Sequence, residues 1–167
     1  PIYDIRTAID DRPDLDNRDI TAIGGYTAFP VEIRQVGAEE QQWRPYGIRV
    51  ADDQYLKQTG TTLKLIANTY DSPDDVWKAV QKDSNLVVTD SFIVPSRERF
   101  GNDEVQFELE GVYFDDAEME PIDIEVRDPG TGTVIPLTII AVTDRISDAF
   151  GELGRGIIAS RKELDSA

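Results

Sequence analysis

The segment between Pro121 and Arg145 constrains the fold more than any other part of the chain. Three apolar residues alternate with three charged ones over Ile122–Arg127, which is the period of two of a half-buried strand. Asp128–Gly132 then combines a proline with two glycines, a composition that favours a chain reversal. The chain returns through Val134–Val142, so the sequence predicts a β-hairpin.

The return strand of this hairpin is apolar on both of its faces. One face carries Leu137, Ile139 and Ala141, and the other carries Ile140 and Val142. Only a strand that is covered on both sides can bury so many apolar side chains. We therefore expect other elements to pack against each face of this strand.

The clearest helix start in the chain lies at Ser72. Ser72 suits the N-cap, Pro73 suits the first helical position, and Asp75 can reach back as in a capping box. The apolar residues that follow at helical spacing are Val76, Trp77 and Val80. After this helix the run Leu86–Thr89 predicts a short buried strand.

Further strands are predicted over Ile20–Val36, over Trp43–Val50 and within Gly101–Val126, and a short strand over Gly156–Ala159. These elements predict an α+β fold of mixed, largely antiparallel sheets, with the helices Ile2–Asp10 and Pro73–Lys82 packed on them. We expect a single domain over 1–167, with two small lobes over roughly 1–90 and 91–167 as the alternative.

Composition excludes several classes of function. The chain has 33 acidic and 17 basic residues and a net charge of −16, which disfavours binding to nucleic acids and to anionic membranes. It contains no cysteine and no histidine, so disulfides, thiolate zinc sites and imidazole acid–base catalysis are excluded. It starts at Pro1 and holds no apolar run of the about 20 residues that span a membrane, so we expect a soluble piece of a longer protein.

Two segments invite a ligand-binding interpretation that their spacing does not support. The acidic loop Asp11–Asp19, which contains Asp14 and Asp16, has Arg18 where a calcium loop needs an oxygen ligand. Gly151, Gly154 and Gly156 fit neither of the common phosphate-binding glycine patterns. We therefore predict no metal site, no cofactor and no catalytic residues, and read these segments as a helix-capping acidic loop and an ordinary loop.

Ten acidic residues and no lysine or arginine lie between Gly101 and Val126. Val105, Phe107, Leu109, Val112 and Phe114 alternate with them or nearly so. This pattern predicts a strand with a strongly negative outer face, which we interpret as a solvated surface rather than an acid–base site. A hydrolase that uses a pair of carboxylates would need two of these acids to converge across a cleft, and sequence alone does not show convergence.

Four segments together resemble the extracytoplasmic domain of FtsX-like, MacB-type permeases of ABC transporters. They are NLVVTDSFIVPSRERFG (85–101), FELEGVYFDD (107–116), IDIEVRDPGTGTVIPLTIIAVTDR (122–145) and GIIASRKEL (156–164). They lie within Asn85–Leu164, which is about half of the chain, and the first 84 residues match the pattern only loosely. The motifs are structural, so they carry no catalytic or ligand-binding residue over to this chain.

The resemblance implies a MacB-like periplasmic core fold and a location outside the cytoplasmic membrane. It also implies transmembrane helices of a parent permease and a separate cytoplasmic ATPase subunit. In such a permease the outer domain relays conformational change or engages a substrate or partner protein, and it performs no chemistry itself. A free secreted acidic binding module is the alternative. Apolar stretches of about 20 residues flanking the chain would favour the permease.

Overall fold

The computed structural model describes residues 24–97, 107–145 and 156–161. Seven strands, two α-helices and one 3-10 helix make up this part of the chain. In chain order they are β1 (Tyr26–Gln35), β2 (Arg44–Ala51), α1 (Asp53–Gln58), β3 (Leu63–Ile66), α2 (Pro73–Lys82), β4 (Leu86–Thr89), the 3-10 helix Ser91–Ile93, β5 (Ile122–Arg127), β6 (Val134–Thr143) and β7 (Ile157–Ser160).

Six of the strands form a closed barrel in the order β6-β4-β7-β2-β1-β5, because β5 pairs with both β1 and β6. The pairs β2–β7 and β4–β6 are parallel, and the other pairs are antiparallel. β3 pairs with the second half of β6 beside the barrel. Strands from before and after residue 90 are interleaved around the barrel, since β4 lies between β6 and β7.

The expected α+β architecture, with helices packed on open sheets, is therefore wrong, and with it the MacB-like fold that the resemblance implied. The described residues contain only two short α-helices, of 6 and 10 residues, which is too little helix to form a layer of its own. The sheet instead covers its own apolar face by closing on itself, as small all-β domains do.

The β-hairpin predicted between Pro121 and Val142 is confirmed. β5 and β6 pair antiparallel from Ile122↔Ile139 to Arg127↔Val134. Gly132 supplies the positive φ of the turn at 74°, and Asp128 accepts a hydrogen bond from the Gly130 amide. The hydrogen bond from the Gly130 amide, which has the larger effect, and the one from the Thr131 hydroxyl lower the pKa of Asp128.

The prediction that β6 is buried on both faces is also confirmed. Leu137, Ile139, Ile140, Ala141 and Val142 are all at most 5% exposed. Alternate residues of a barrel strand point into the interior and outward, so the barrel core covers one set. The side chains that point outward from the barrel must be covered from outside. Helix α2 packs on β3, β4 and β7 and belongs to the same apolar core, so it contributes to this cover.

Helix α2 begins as the sequence predicts. The Ser72 hydroxyl accepts a hydrogen bond from the Asp75 amide (3.2 Å) and donates one to the Asp75 carboxylate (2.7 Å). Pro73 occupies the first turn, where its missing N–H costs nothing. Val76, Trp77 and Val80 form the buried face of this helix.

Replacing Ser72 with alanine is expected to destabilise the protein by about 1 kcal/mol, because the first turn loses its side-chain acceptor. Urea unfolding followed by far-UV circular dichroism measures the change. Ser72→Thr keeps a side-chain oxygen at the cap and is expected to retain most of the stability. Equal losses in the two variants would contradict a capping role for the hydroxyl.

Two ion pairs connect the side chains of β1 and β5 across the pairing that closes the barrel. Arg127 contacts Glu32 at 2.6 Å, and Arg34 contacts Glu125 at 2.6 Å. The two guanidinium groups stack on the ring of Trp43, with their central carbons 4.4 and 4.5 Å from its centroid. We call these residues the β1–β5 seam.

Both ends of the described chain meet at one pole of the barrel, where β2 ends. The Asp52 amide donates to the Gly25 carbonyl (2.9 Å), and the Arg161 amide donates to the Ala51 carbonyl (3.0 Å). We call this the proximal pole. The turn 36–43 between β1 and β2 lies at the other end of the hairpin, which we call the distal pole. The pairing runs from Tyr26↔Ala51 to Ile33↔Arg44, a length of about 23 Å at about 3.3 Å per residue.

Two further predictions differ from the structure or lie outside it. Residues 107–118 form no strand, although an acidic strand was predicted there, and only Met119 makes a single bridge, to Ala67. The predicted helix Ile2–Asp10 lies outside the described residues. Neither described α-helix has the length and apolarity that crossing a membrane requires.

Candidate binding cleft

A cleft of about 520 Å³ opens at the distal pole, between the turn 36–43 and the loop 107–113. We call it the distal cleft. Its lining residues are Glu40, Arg44, Pro95, Phe107, Glu108, Leu109, Glu110, Gly111, Val112 and Tyr113. Clefts of this size accept a small molecule or a side chain of a partner protein.

The side chain of Gln35 holds the loop against the end of β1. Its amide oxygen accepts from the Glu110 amide (2.7 Å), and its amide nitrogen donates to the Glu110 carbonyl (3.0 Å). The Glu110 carboxylate accepts in turn from the Glu39 amide, at 3.1 Å from each oxygen. The loop therefore pairs with a side chain instead of with a neighbouring strand.

Backbone hydrogen bonds fix the other side of the loop. The Leu109 amide donates to the Ile93 carbonyl, and the Phe114 amide donates to the Pro95 carbonyl, both at 2.8 Å. Leu109 is 1% exposed and Phe107 is 7% exposed, so the floor of the cleft is apolar and continuous with the core. The floor is thus preformed by the fold.

The rim of the distal cleft is negatively charged. Glu40, Glu108 and Glu110 line it with Arg44, so these lining residues carry a formal charge of −2 (three acids against one base). Arg44 contacts Glu40 at 3.1 Å. Hydrogen bonds from the Gln42 amide, which has the larger effect, and from Arg44 lower the pKa of Glu40. Glu40 is therefore ionised at neutral pH and lacks the raised pKa of a general acid.

Tyr113 forms an aromatic wall of the distal cleft. Its side chain is 40% exposed, and the central carbon of the Arg97 guanidinium lies 4.3 Å from its ring centroid. Arg97 also pairs with Asp116 at 2.7 Å. The Tyr113 amide, and then Arg97, lower the pKa of Asp116. The ring of Tyr113 thus already stacks with one cation on the protein surface.

Replacing Gln35 with alanine is expected to release the loop 107–113, because Glu110 loses both backbone hydrogen bonds to this side chain. Faster hydrogen exchange at the Glu110 amide, and a stability loss of about 1 kcal/mol, should follow. Gln42→Ala removes another glutamine side chain from the same pole and serves as the control. Unchanged exchange at Glu110 in Gln35→Ala would contradict this account of the loop.

Of the segments weighed as ligand sites in the sequence, the structure describes only Gly156. Asp11–Asp19, Gly151 and Gly154 lie outside the described residues. Gly156 precedes β7, and its amide donates to the carboxylate of Asp90. A Cβ there would lie 3.0 Å from the Gly47 carbonyl oxygen, so close packing explains this glycine. Within the described residues, no three metal-ligating side chains cluster.

The acids between Gly101 and Val126 have different roles in the structure. Glu108 and Glu110 line the distal cleft, whereas Glu125 belongs to the β1–β5 seam. Glu120 accepts from the side-chain amide of Asn68 (2.9 Å), and Asp123 accepts from the Thr138 hydroxyl (2.8 Å). Most of the described acids are exposed, as expected for a solvated surface, but they do not lie on the face of one strand, and several have specific partners.

No pattern in the sequence indicates Gln35, Arg44 or Tyr113, which the fold brings to the distal cleft or to the loop beside it. One signal in the sequence opposed the predicted strand. Gly111 follows Glu110 and adopts φ 80°, a conformation that an ordinary strand residue avoids. A glycine at this point of an alternating pattern favours a loop.

A scan against protein-family models, a search of curated proteins and a search of solved structures each give no match to this chain. The geometry of the distal cleft is therefore the basis for a functional proposal. The cleft combines an apolar floor, an aromatic wall and an acidic rim, which suits binding of a ligand. That this domain is not an enzyme stays a prediction.

Proposed function

We propose that this chain is a non-catalytic interaction domain of a membrane protein, held at its proximal pole and exposed outside the cytoplasmic membrane. The parent that the sequence resemblance favours is the permease of an ABC transporter. In such a protein the domain would relay conformational change or engage a partner protein. The observation that carries the proposal is the position of Gly25 and Arg161, which both lie beside the end of β2.

A domain carried between two transmembrane segments must receive and return the chain on one side. The meeting of both described ends at the proximal pole satisfies that requirement. The distal cleft lies near the other end of the β1–β2 hairpin, about 23 Å away. Its acidic rim would then be farther than two Debye lengths from anionic headgroups, where repulsion is largely screened.

The closed barrel gives this arrangement a physical means of transmitting movement. Strands that are hydrogen-bonded around a full circuit cannot slide separately without breaking several ladders at once. A displacement at the proximal pole would therefore reach the distal cleft as movement of a rigid body. No chemical step within the domain is needed.

A free secreted acidic binding module is the second candidate. The acidic rim of the distal cleft supports it, because a ligand-binding surface serves a secreted protein equally well. In the permease the proximal pole is joined to transmembrane segments, whereas in the secreted module it is not. The location of the full-length protein separates them.

Cysteine labelling of the full-length parent protein tests the location. The 167-residue chain contains no cysteine, so Thr131→Cys in the exposed β5–β6 turn adds one reporter once cysteines elsewhere in the parent are replaced. A membrane-impermeant maleimide is expected to label it in intact cells. The buried control Val87→Cys is expected to react only after denaturation.

The labelled protein is further expected in the membrane fraction, where it should co-purify with an ATP-hydrolysing subunit. Labelling only after cell lysis would contradict the extracytoplasmic location. Recovery of the labelled protein from the culture medium would favour the secreted module. Membrane retention without an ATPase subunit would contradict the permease as the parent.

A further inference from the structure

We propose that the distal cleft binds a lysine or arginine side chain presented by an extended basic segment of a partner protein. This inference rests on the proposed interaction role of the domain, but it does not require an ABC transporter permease as the parent. It names the chemistry of the partner. The charge, the floor and the aromatic wall of the cleft each contribute to the argument.

Charge favours a cationic occupant. The described lining residues carry a formal charge of −2, and Arg44 is already paired with Glu40. The whole chain carries −16, so its long-range field attracts basic partners and repels acidic ones. Nucleic acids and acidic peptides are therefore disfavoured as occupants, while a basic segment is drawn toward the cleft from a distance.

The apolar floor favours a long side chain over a small cation. Lysine and arginine bury their aliphatic stems against apolar surface while their charged groups remain near water. Half-buried Pro95 and the small exposed part of Phe107 provide such a surface in the cleft lining, whereas Leu109 is almost fully buried. A metal ion or a simple amine would leave that surface without a partner.

The aromatic wall favours a cation as well. Tyr113 stacks with Arg97 and is still 40% exposed, so part of its ring can meet a second cation. Glu108 lies on the same loop and lines the cleft with it. The ring of Tyr113 and the carboxylate of Glu108 would hold the charged end of the partner's lysine or arginine between them.

An extended segment suits the approach to the cleft. The loop 107–113 and the turn 36–43 form its two sides and are joined through Gln35, Glu39 and Glu110, so the cleft is open and preformed. A preformed site does not require the partner to order the domain on binding. We expect weak affinity, as for other transient contacts of small area.

The test uses the complete 167-residue chain labelled with ¹⁵N and two dodecapeptides. One peptide alternates lysine with serine, and the other alternates glutamate with serine. Binding of the lysine peptide is expected to shift the amide resonances of residues 107–113, and its Kd is expected to rise with salt concentration. The glutamate peptide is expected to leave these resonances unchanged.

Matched variants distinguish the cleft from general attraction to an acidic protein. Glu108→Gln is expected to raise the Kd for the lysine peptide about three- to tenfold. Tyr113→Leu tests the aromatic wall and is expected to raise it about threefold. Glu118→Gln removes the same charge at an exposed position outside the cleft lining and is expected to leave the Kd almost unchanged.

Equal weakening in Glu108→Gln and Glu118→Gln would overturn the proposal, because it would show attraction by net charge alone. Absence of binding, or shifts caused equally by the glutamate peptide, would also overturn it. Far-UV circular dichroism of each variant checks that the fold is intact. These outcomes concern the isolated chain, so they are independent of where the labelling experiment places the parent protein.

Discussion

The Asp90→Ala variant is expected to lose about 3–5 kcal/mol of folding free energy. Asp90 is 2% exposed and accepts hydrogen bonds from the Tyr46 hydroxyl (2.5 Å), the Phe92 amide (2.9 Å) and the Gly156 amide. It therefore connects β2, the 3-10 helix and the start of β7. Removing the carboxylate takes this acceptor from all three donors, of which the Gly156 amide is buried and the other two are part-buried.

Urea unfolding measures this loss, with Asp71→Ala as the control. Asp71 is exposed, so its replacement is expected to change stability by less than about 0.5 kcal/mol. Asp90→Asn keeps one acceptor oxygen and is expected to lie between the wild type and Asp90→Ala. A loss below about 1 kcal/mol in Asp90→Ala would show that Asp90 does not connect the three segments as the hydrogen bonds indicate.

The Trp77→Ala variant is expected to lose about 3–5 kcal/mol, which is typical of a buried tryptophan. Trp77 is 7% exposed and lies between Val76 and Val80 on the buried face of α2. Its removal opens a cavity where α2 packs on β3, β4 and β7. The outward face of the barrel wall would lose much of its cover.

Far-UV circular dichroism during urea unfolding is the suitable measurement here, since Trp77→Ala changes the tryptophan fluorescence itself. Lys78→Ala changes an exposed neighbour on the same helix and is expected to have almost no effect. If both variants lost similar stability, burial of Trp77 would not explain the loss, because alanine has the higher helix propensity at both positions and Lys78 is exposed.

Local features of the fold were predictable because their causes are local. The turn chemistry of Asp128–Gly132 and the alternation before it specify the β5–β6 hairpin. Ser72, Pro73 and Asp75 specify the start of α2 within four residues. In each case the residues that determine the structure also lie next to one another in the sequence.

Closure of the barrel was not predictable from such patterns. It depends on the pairing of β1 with β5 and of β2 with β7, whose residues are far apart in the chain. Alternation shows that a strand has a buried face, but it does not show which strands are neighbours. The same pattern therefore fits an open sheet under helices and a closed barrel.

The distal cleft was missed for a related reason. Phe107, Leu109 and Val112 are buried and Glu108 and Glu110 are exposed, so the loop has nearly the burial pattern of a strand. Its backbone groups, however, bond to Ile93, Pro95 and the Gln35 side chain. A loop whose side chains are alternately buried and exposed has the same sequence pattern as an edge strand, even when it pairs with no neighbouring strand.

The β1–β5 seam has a consequence for the kinetics of folding. The side-chain hydrogen bond from Arg127 to Glu32 joins residues 95 positions apart, and that from Arg34 to Glu125 joins residues 91 positions apart. Contacts of such long range bring a large loop-closure entropy, which slows folding of β-rich domains to milliseconds or longer. The hairpins β1–β2 and β5–β6 can form before this closure, because each pairs within a short segment. We therefore expect closure of the barrel to limit the rate of folding, both at the seam and at the β2–β7 pairing, whose partners Ile48 and Ile157 also lie far apart in the chain.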